Sequence, residues 1–474
     1  MKVLFLTEGG RQKGLGHIAR CIALSEGLRD VVDNAEMLFI YEGDEIAASL
    51  FNDSAIAVEL DAWQTDSEVA LKHAEGSDLV VIDSYFADQI LYERLSEAVS
   101  GNILMIDDNN RIKYPRGMVL NPSVYAPSID YSLEDGTRYL LGRDYILLRR
   151  DFWNVPEKNI RGKVKKIMIT LGGSSLSGLA EDLSGPIEKE FGVIINKIDP
   201  LKGVVSAEDM IECAIDSDIC VSGAGQTLYE LLRIGLPTIA VELAENQNLN
   251  ITSLDEMGFI EKAGTNTDED LGEYVIEAIK RLLDSDRRLK ISASGRDMID
   301  GKGALRAARA IVEQVKGPFG DSGIKIRPME QRDCYDIWAW RNNPAVRKRS
   351  FSKDSIDYLA HKSWFDEKMQ DSAESLYICE NGDLDKIGQA RFGQETGEVY
   401  ISVNLNPVFI GRGIGQRLID MATRKFMSTN MDAGVVKAKV ENDNIASKKV
   451  FEKAGYVLEE EMKDHLVYVK KDNI

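Results

Sequence analysis

Near the start of the chain an apolar run, Val3 to Leu6, gives way to Glu8-Gly-Gly10-Arg-Gln-Lys-Gly14-Leu-Gly16-His17. Glycines at a strand-to-helix turn let the backbone approach a ligand closely, and the helix N-terminus that follows offers free N–H groups and positive potential to a phosphate. An imidazole at that point can take a proton near neutral pH, which makes His17 a candidate general base. The spacing is not a dinucleotide fingerprint, because Ala19 stands where its last glycine would fall. A lone histidine more often caps a helix or packs under a loop, so the surrounding residues must decide its role.

Three more turns carry the same kind of chemistry. Gly172-Gly173-Ser174 and Gly223-Ala-Gly225-Gln226-Thr227 each follow a short apolar run, and their exposed amides suit a diphosphate. Asn406-Pro-Val-Phe-Ile410-Gly411-Arg412-Gly413-Ile414-Gly415 leads into a helical pattern bearing Leu418, Ile419 and Met421, a turn fit for a pyrophosphate. Each alone is more often a plain turn between a strand and a helix.

The elements behind these turns alternate. Runs at Val3 to Leu6, Leu79 to Ile82, Ile103 to Ile106, Ile167 to Leu171, Ile219 to Val221 and Thr238 to Val241 are separated by helical patterns, which predicts βαβ units and parallel sheets. The helix after His17 should bury Cys21, Leu24 and Leu28. A break before Pro156 separates two groups of strands, so residues 1–154 and 155–316 are expected to form two Rossmann-like lobes. Turn formers at 317–323 mark a linker, and residues 324–474 follow an α+β plan: a strand, tryptophan-rich helices, a meander from Lys386 to Val403, the glycine turn, then helix, strand and helix.

Bulk properties narrow the function. A chain of 474 residues, 44% hydrophobic and 29% charged, has the composition of a folded globular protein. A net charge of -20 disfavours an electrostatic grip on nucleic acid or an anionic membrane. Runs such as Arg149-Arg150 read as solvated surface. The opening Lys2 to Leu6 run is too short for a signal-peptide core and no apolar stretch of about 18 residues follows, so a cytoplasmic enzyme is expected. Cys21, Cys213, Cys220, Cys334 and Cys379 lack the spacing of a zinc site, and reduced thiols without metal are the simpler account.

Gly14-Leu-Gly-His17-Ile-Ala-Arg20, Val81-Ile-Asp-Ser-Tyr85, Met105-Ile-Asp-Asp108, Leu141-Gly-Arg-Asp-Tyr145, Thr170-Leu-Gly-Gly173-Ser174, Ser222-Gly-Ala-Gly225-Gln-Thr227-Leu-Tyr-Glu230 and Glu245-Asn246-Gln247 occur in order. Together they resemble the UDP-sugar hydrolases of pseudaminic acid biosynthesis, relatives of the glycosyltransferase-B enzymes, over roughly residues 1–315. The resemblance implies two lobes of glycosyltransferase-B type and no metal. It makes His17 the base that activates water at the anomeric carbon, and places Gly14, Gly16, Arg20 and Tyr85 at the substrate. Gly173, Ser174, Gly225, Gln226 and Thr227 would cradle UDP, Glu230 would take its ribose, and Asn246 and Gln247 would line the phosphate and sugar. Ser84 stands where that family often has histidine.

The Ile410 to Gly415 turn and Asn444-Ile-Ala-Ser447-Lys-Lys-Val-Phe451 resemble the GNAT superfamily of acetyl-coenzyme A-dependent N-acetyltransferases. Trp340-Arg341-Asn342-Asn343 and His361-Lys-Ser-Trp364-Phe365 look like the subgroup that acetylates UDP-amino-sugars. That resemblance places Leu405, Ile410, Gly411, Arg412, Gly413, Ile414, Gly415 and Asn444 at acetyl-coenzyme A. Ile410 and Phe451 depart from it: many relatives carry Arg or Gln at the first and the tyrosine that protonates the thiolate at the second. The joint expectation is acetylation of a UDP-4-amino-sugar and hydrolysis of the product to UDP and free sugar. The competing expectation is a glycosyltransferase fused to a protein or peptide acetyltransferase.

Overall fold

The computed structural model describes the chain except residues 12, 52–56, 65, 132–135, 172–176, 199–205, 317–322, 349, 382–385, 396, 431–433 and 472–474. The apolar runs near the N-terminus become a seven-stranded sheet of β1 (Lys2–Gly9), β2 (Glu36–Gly43), β3 (Ala57–Leu60), β4 (Leu79–Asp83), β5 (Ile103–Ile106), β6 (Gly117–Asn121) and β7 (Thr137–Leu141). Its order is β3-β2-β1-β4-β5-β6-β7 and every neighbouring pair is parallel. Strands buried on both faces must be apolar throughout, and Val3 to Leu6 and Leu79 to Ile82 are almost fully buried.

A second parallel sheet holds β8 (Lys166–Thr170), β9 (Ile194–Lys197), β10 (Ile219–Gly223), β11 (Thr238–Glu242) and β12 (Glu261–Thr265), ordered β12-β11-β10-β8-β9. The first helix, Gly16–Val31, buries Cys21, Leu24 and Leu28 as the sequence predicts. The helix Gly303–Lys316 follows the second sheet in the chain yet packs on that first helix. Tyr229 adds a polar tie, accepting from the Val124 amide at 3.2 Å and donating to Asn250 Oδ1 at 2.6 Å. Both sheets therefore lie in one unit, Met1–Ala126 with Asp135–Lys316.

The helix crossing depends on a missing side chain. A Cβ on Gly27 would stand 2.5 Å from the Ala304 carbonyl oxygen, a backbone atom that cannot swing away. Gly27→Val is expected to cost about 1–3 kcal/mol of stability through overpacking. A thermal melt of this unit unchanged from wild type would show that the crossing tolerates the bulk.

The second unit is Pro127–Glu134 with Gly317–Ile474. Arg347 holds the early segment by donating to Asp130 Oδ1 at 2.9 Å. Its sheet contains β13 (Ile324–Pro328), β14 (Ser375–Asn381), β15 (Lys386–Glu395), β16 (Glu398–Leu405), β17 (Val435–Glu441), β18 (Val457–Glu461) and β19 (His465–Lys471), in the order β13-β14-β15-β16-β17-β19-β18. All neighbours are antiparallel except β16 and β17. Phe392 from the sheet stacks on Phe426 of the helix Ile414–Thr429 at 4.3 Å, within a core that includes Leu418, Ile419 and Val436. Trp338 and Trp340 are buried anchors of the helix Cys334–Asn342.

Candidate functional sites

In the first sheet β1 lies between β2 and β4, so the strand order reverses there, and open parallel sheets take ligands beyond the strand ends at such a point. The turn after β1 is closed by reciprocal backbone bonds between Gly10 and Gly14, at 2.9 and 2.8 Å, with both glycines at positive φ. His17 opens the first helix just beyond it. The chain brings a carboxylate there from β4: His17 Nδ1 lies 2.6 Å from Asp83 Oδ1. Arg20, one helical turn on, donates from Nε to Asp83 Oδ2 at 2.5 Å and from Nη2 to Asp83 Oδ1 at 2.7 Å. Its Nη1 donates to Asp108 Oδ1, just past β5, at 2.7 Å.

Tyr85 follows β4 and completes the cluster. Its hydroxyl donates to Asp108 Oδ2 at 2.5 Å, and its ring stands edge-on to the His17 ring, with centroids 4.5 Å apart. Burial alone would push the Asp83 carboxyl up, but the Arg20 charge and the hydrogen bonds from Arg20 and His17 outweigh it and hold Asp83 down at about 2. Burial opposes the Arg20 charge as well, and there Asp108 and Asp83 more than offset it. Burial, then Asp108, pushes the Tyr85 hydroxyl up, so it stays a donor at neutral pH. Arg20, expected at the substrate, thus gives its guanidinium to two internal carboxylates. Asp83 and Asp108 sit in motifs that the sequence offered without a role for them.

Glu8, at the end of β1, is buried and accepts from the Tyr85 amide at 2.7 Å, while Lys13 approaches its other oxygen at 3.2 Å. That bond fixes the start of the loop that carries Tyr85. Gln64 joins Ser84 Oγ at 3.1 Å and also bonds Glu8. Ser84 additionally accepts from the amides of Phe86 and Ala87, so it shapes the loop.

In the second sheet the expected UDP residues gather at strand ends. Gly225, Gln226 and Thr227 follow β10 and open the helix Thr227–Ile234, and a Cβ on Gly225 would meet nothing within 4 Å. Asn246 and Gln247 lie in the turn after β11. Gly173 and Ser174 lie outside the described residues. Gln226 donates to the Leu147 carbonyl at 2.5 Å, tying this helix start to a segment 79 positions earlier, whereas Gln247 accepts from the Leu243 amide at 3.0 Å and braces its own loop. Glu230 is buried, and burial raises its carboxyl although Arg149 pulls the other way. Arg149 donates to Glu230 Oε1 from Nε at 3.1 Å and Nη2 at 3.0 Å. Arg149 is therefore a partner of a buried acid rather than the solvated residue its sequence suggested.

In the second unit β16 and β17 pair in parallel at one register, Tyr400 with Lys437. Both strands run on without a further paired position among the described residues. Leu405 ends β16, and Asn406 fixes the following turn by donating to the Lys386 carbonyl at 2.9 Å and accepting from the Val408 amide at 3.2 Å. Gly411 and Gly413 adopt φ of 84° and 73°, conformations that favour glycine. The helix Ile414–Thr429 starts at Gly413 with no side-chain cap, so its first amides point into this turn. Gly415 packs near Val450 and Leu405. Asn444, expected at the coenzyme, caps the helix Ile445–Lys453 by accepting from the Ser447 amide at 3.0 Å.

Residues 324–457 match the acetyltransferase (GNAT) domain family. This part of the chain has a GNAT acetyltransferase fold.

Over 491 aligned residues the whole chain is 24% identical to an uncharacterized protein of Methanocaldococcus jannaschii, with 96% of each covered. It is 27% identical over 278 residues to the UDP-2,4-diacetamido-2,4,6-trideoxy-beta-L-altropyranose hydrolase of Campylobacter jejuni, covering 55% of this chain and 98% of that protein. Among solved structures, the Campylobacter jejuni N-acetyltransferase PseH in complex with acetyl coenzyme A is 19% identical, with 32% of this chain and 100% of that one covered at a TM-score of 0.26. No described helix is long and apolar enough to cross a membrane, and no metal-holding group occurs among the described residues.

Proposed function

We propose that the chain is a bifunctional enzyme of pseudaminic acid biosynthesis. Its C-terminal domain, residues 324–474, acetylates the 4-amino group of a UDP-4-amino-4,6-dideoxy-N-acetyl-altrosamine. Residues 1–154 and 155–316, as two lobes of glycosyltransferase-B type, then hydrolyse the diacetamido product to UDP and free sugar. The observation that carries the reading is the His17–Asp83 contact at the switch point of a parallel sheet, in a chain similar to a UDP-sugar hydrolase. His17 Nε2 removes a proton from water, the water oxygen bonds to the anomeric carbon, and the bond from that carbon to the UDP oxygen breaks. UDP leaves with the bonding pair, held by the amides at Gly225 to Thr227.

In the acetyl step the 4-amino nitrogen attacks the thioester carbonyl of acetyl-coenzyme A. The coenzyme thiolate leaves and takes a proton, and the nitrogen loses one. The amides at Gly411 to Gly415 receive the pyrophosphate. Phe451 is buried against Tyr456, 5.2 Å between ring centroids, and has no proton to give. Glu398 is exposed, and its carboxyl is held below the usual carboxylate range by Lys437, then Tyr400.

The test is NMR of products from the UDP-4-amino-sugar with and without acetyl-coenzyme A. The reading requires UDP and free diacetamido sugar in equal amounts when acetyl-coenzyme A is present, with no other acceptor. UDP release that depends on an added acceptor would make the N-terminal half a glycosyltransferase, and acetylation of peptide N-termini but not of the sugar would reassign the C-terminal domain.

A further inference from the structure

We infer that Asp83 is a positioning residue for His17, fixing the plane of its imidazole and keeping the ring proton on Nδ1 so that Nε2 remains bare toward water. The inference rests on the hydrolase reading and adds a residue to it. A carboxylate oxygen only accepts, so a bare Nδ1 2.6 Å from Asp83 Oδ1 would set two lone pairs against each other. Arg20 Nη2 lies near the same nitrogen, at 3.1 Å, and is the competing partner for it. The shorter contact and the charge on Asp83 decide for a proton on Nδ1, because both Nη2 protons are already directed to carboxylates, Asp83 Oδ1 at 2.7 Å and Asp108 Oδ2 at 3.0 Å.

Arg20 makes the arrangement rigid. It takes one Asp83 oxygen with Nε and the other with Nη2, and its Nη1 is held by Asp108. Asp83 is thereby pinned on both oxygens and cannot rotate away from the imidazole. Tyr85 closes the opposite side, with its ring edge-on to His17 and its hydroxyl tied to Asp108. The pinning follows from placement: His17 and Arg20 are one helical turn apart on the helix after β1, and Asp83 ends β4, the strand paired with β1.

The tautomer can be read directly. Full-length protein labelled with 15N at its four histidines gives long-range 1H–15N spectra in which the His17 signals are those lost in His17→Gln. Nδ1–H is expected for His17 in the wild type, and an Nε2–H tautomer overturns the inference whatever the variants do. Asp83→Asn offers an amide that can donate to Nδ1 instead, so it should move the proton to Nε2. The kcat for UDP release should then fall about 100-fold or more while KM stays within about threefold. A merely structural Asp83 would leave the tautomer of the folded variant unchanged. If His17→Gln hydrolyses at the wild-type rate, the hydrolase reading itself fails. If His17→Gln is inactive while Asp83→Asn keeps both rate and tautomer, only this inference fails.

Discussion

His17→Asn is expected to lower UDP release about 100- to 10,000-fold, the usual cost of losing a base that acts in the transition state. Asparagine preserves a polar side chain next to Asp83 but has no lone-pair nitrogen able to take a proton from water. Acetyl transfer should continue at the wild-type rate, since His17 belongs to the first unit and the glycine turn proposed to receive acetyl-coenzyme A to the second. The measurement is UDP formed from preacetylated UDP-sugar, alongside acetyl-coenzyme A consumption on the 4-amino precursor. Hydrolysis near the wild-type rate would remove His17 from the mechanism. Loss of both activities together would point to a folding defect rather than a lost base.

His17 stood out in the sequence because the glycines before it mark a strand-to-helix turn, and such a local signal is what a single sequence displays. Asp83 did not, because its pairing partner is 66 positions away and the contact exists only once β4 lies beside β1. The same reason hid the Arg149–Glu230 pair. Glu230 was read as facing a ribose, yet its buried carboxylate first meets an arginine 81 positions earlier in the chain.

Strands were legible where burial on both faces demands a continuous apolar run, as in Val3 to Leu6 or Ile103 to Ile106. β3 and β9 escaped because they are edge strands of four residues, and Ile194 is itself exposed. β2 is longer and well buried, but Glu36 and Glu42 at its ends blur the pattern. In the C-terminal domain the tryptophans divide as side-chain environment dictates: Trp338 and Trp340 are core, whereas Trp364 is partly exposed with Arg391 over its ring at 5.6 Å. By sequence, Trp340 and Trp364 read alike, as parts of one resemblance.

Gly413→Glu should weaken acetyl-coenzyme A binding about 10- to 100-fold, or roughly 1.4 to 2.8 kcal/mol. Two effects need separating. Gly413 has φ of 73°, so any side chain there adds strain of order 1–2 kcal/mol, but that strain exists with and without ligand and appears in the melting temperature. A Cβ at Gly413 meets nothing within 4 Å, so the glutamate has room and does not distort the core. Its carboxylate would instead lie at the uncapped N-terminus of the helix Ile414–Thr429, where the free amides favour an anion, and would compete with the pyrophosphate for them. Gly413→Ala is the control, because it carries the strain without the charge. Calorimetry with acetyl-coenzyme A should find affinity nearly kept in the alanine variant and lost in the glutamate variant, with UDP release from preacetylated sugar unchanged in both. Equal affinities in wild type and Gly413→Glu would mean that the pyrophosphate binds elsewhere, and the assignment of the Ile410 to Gly415 turn would have to be given up.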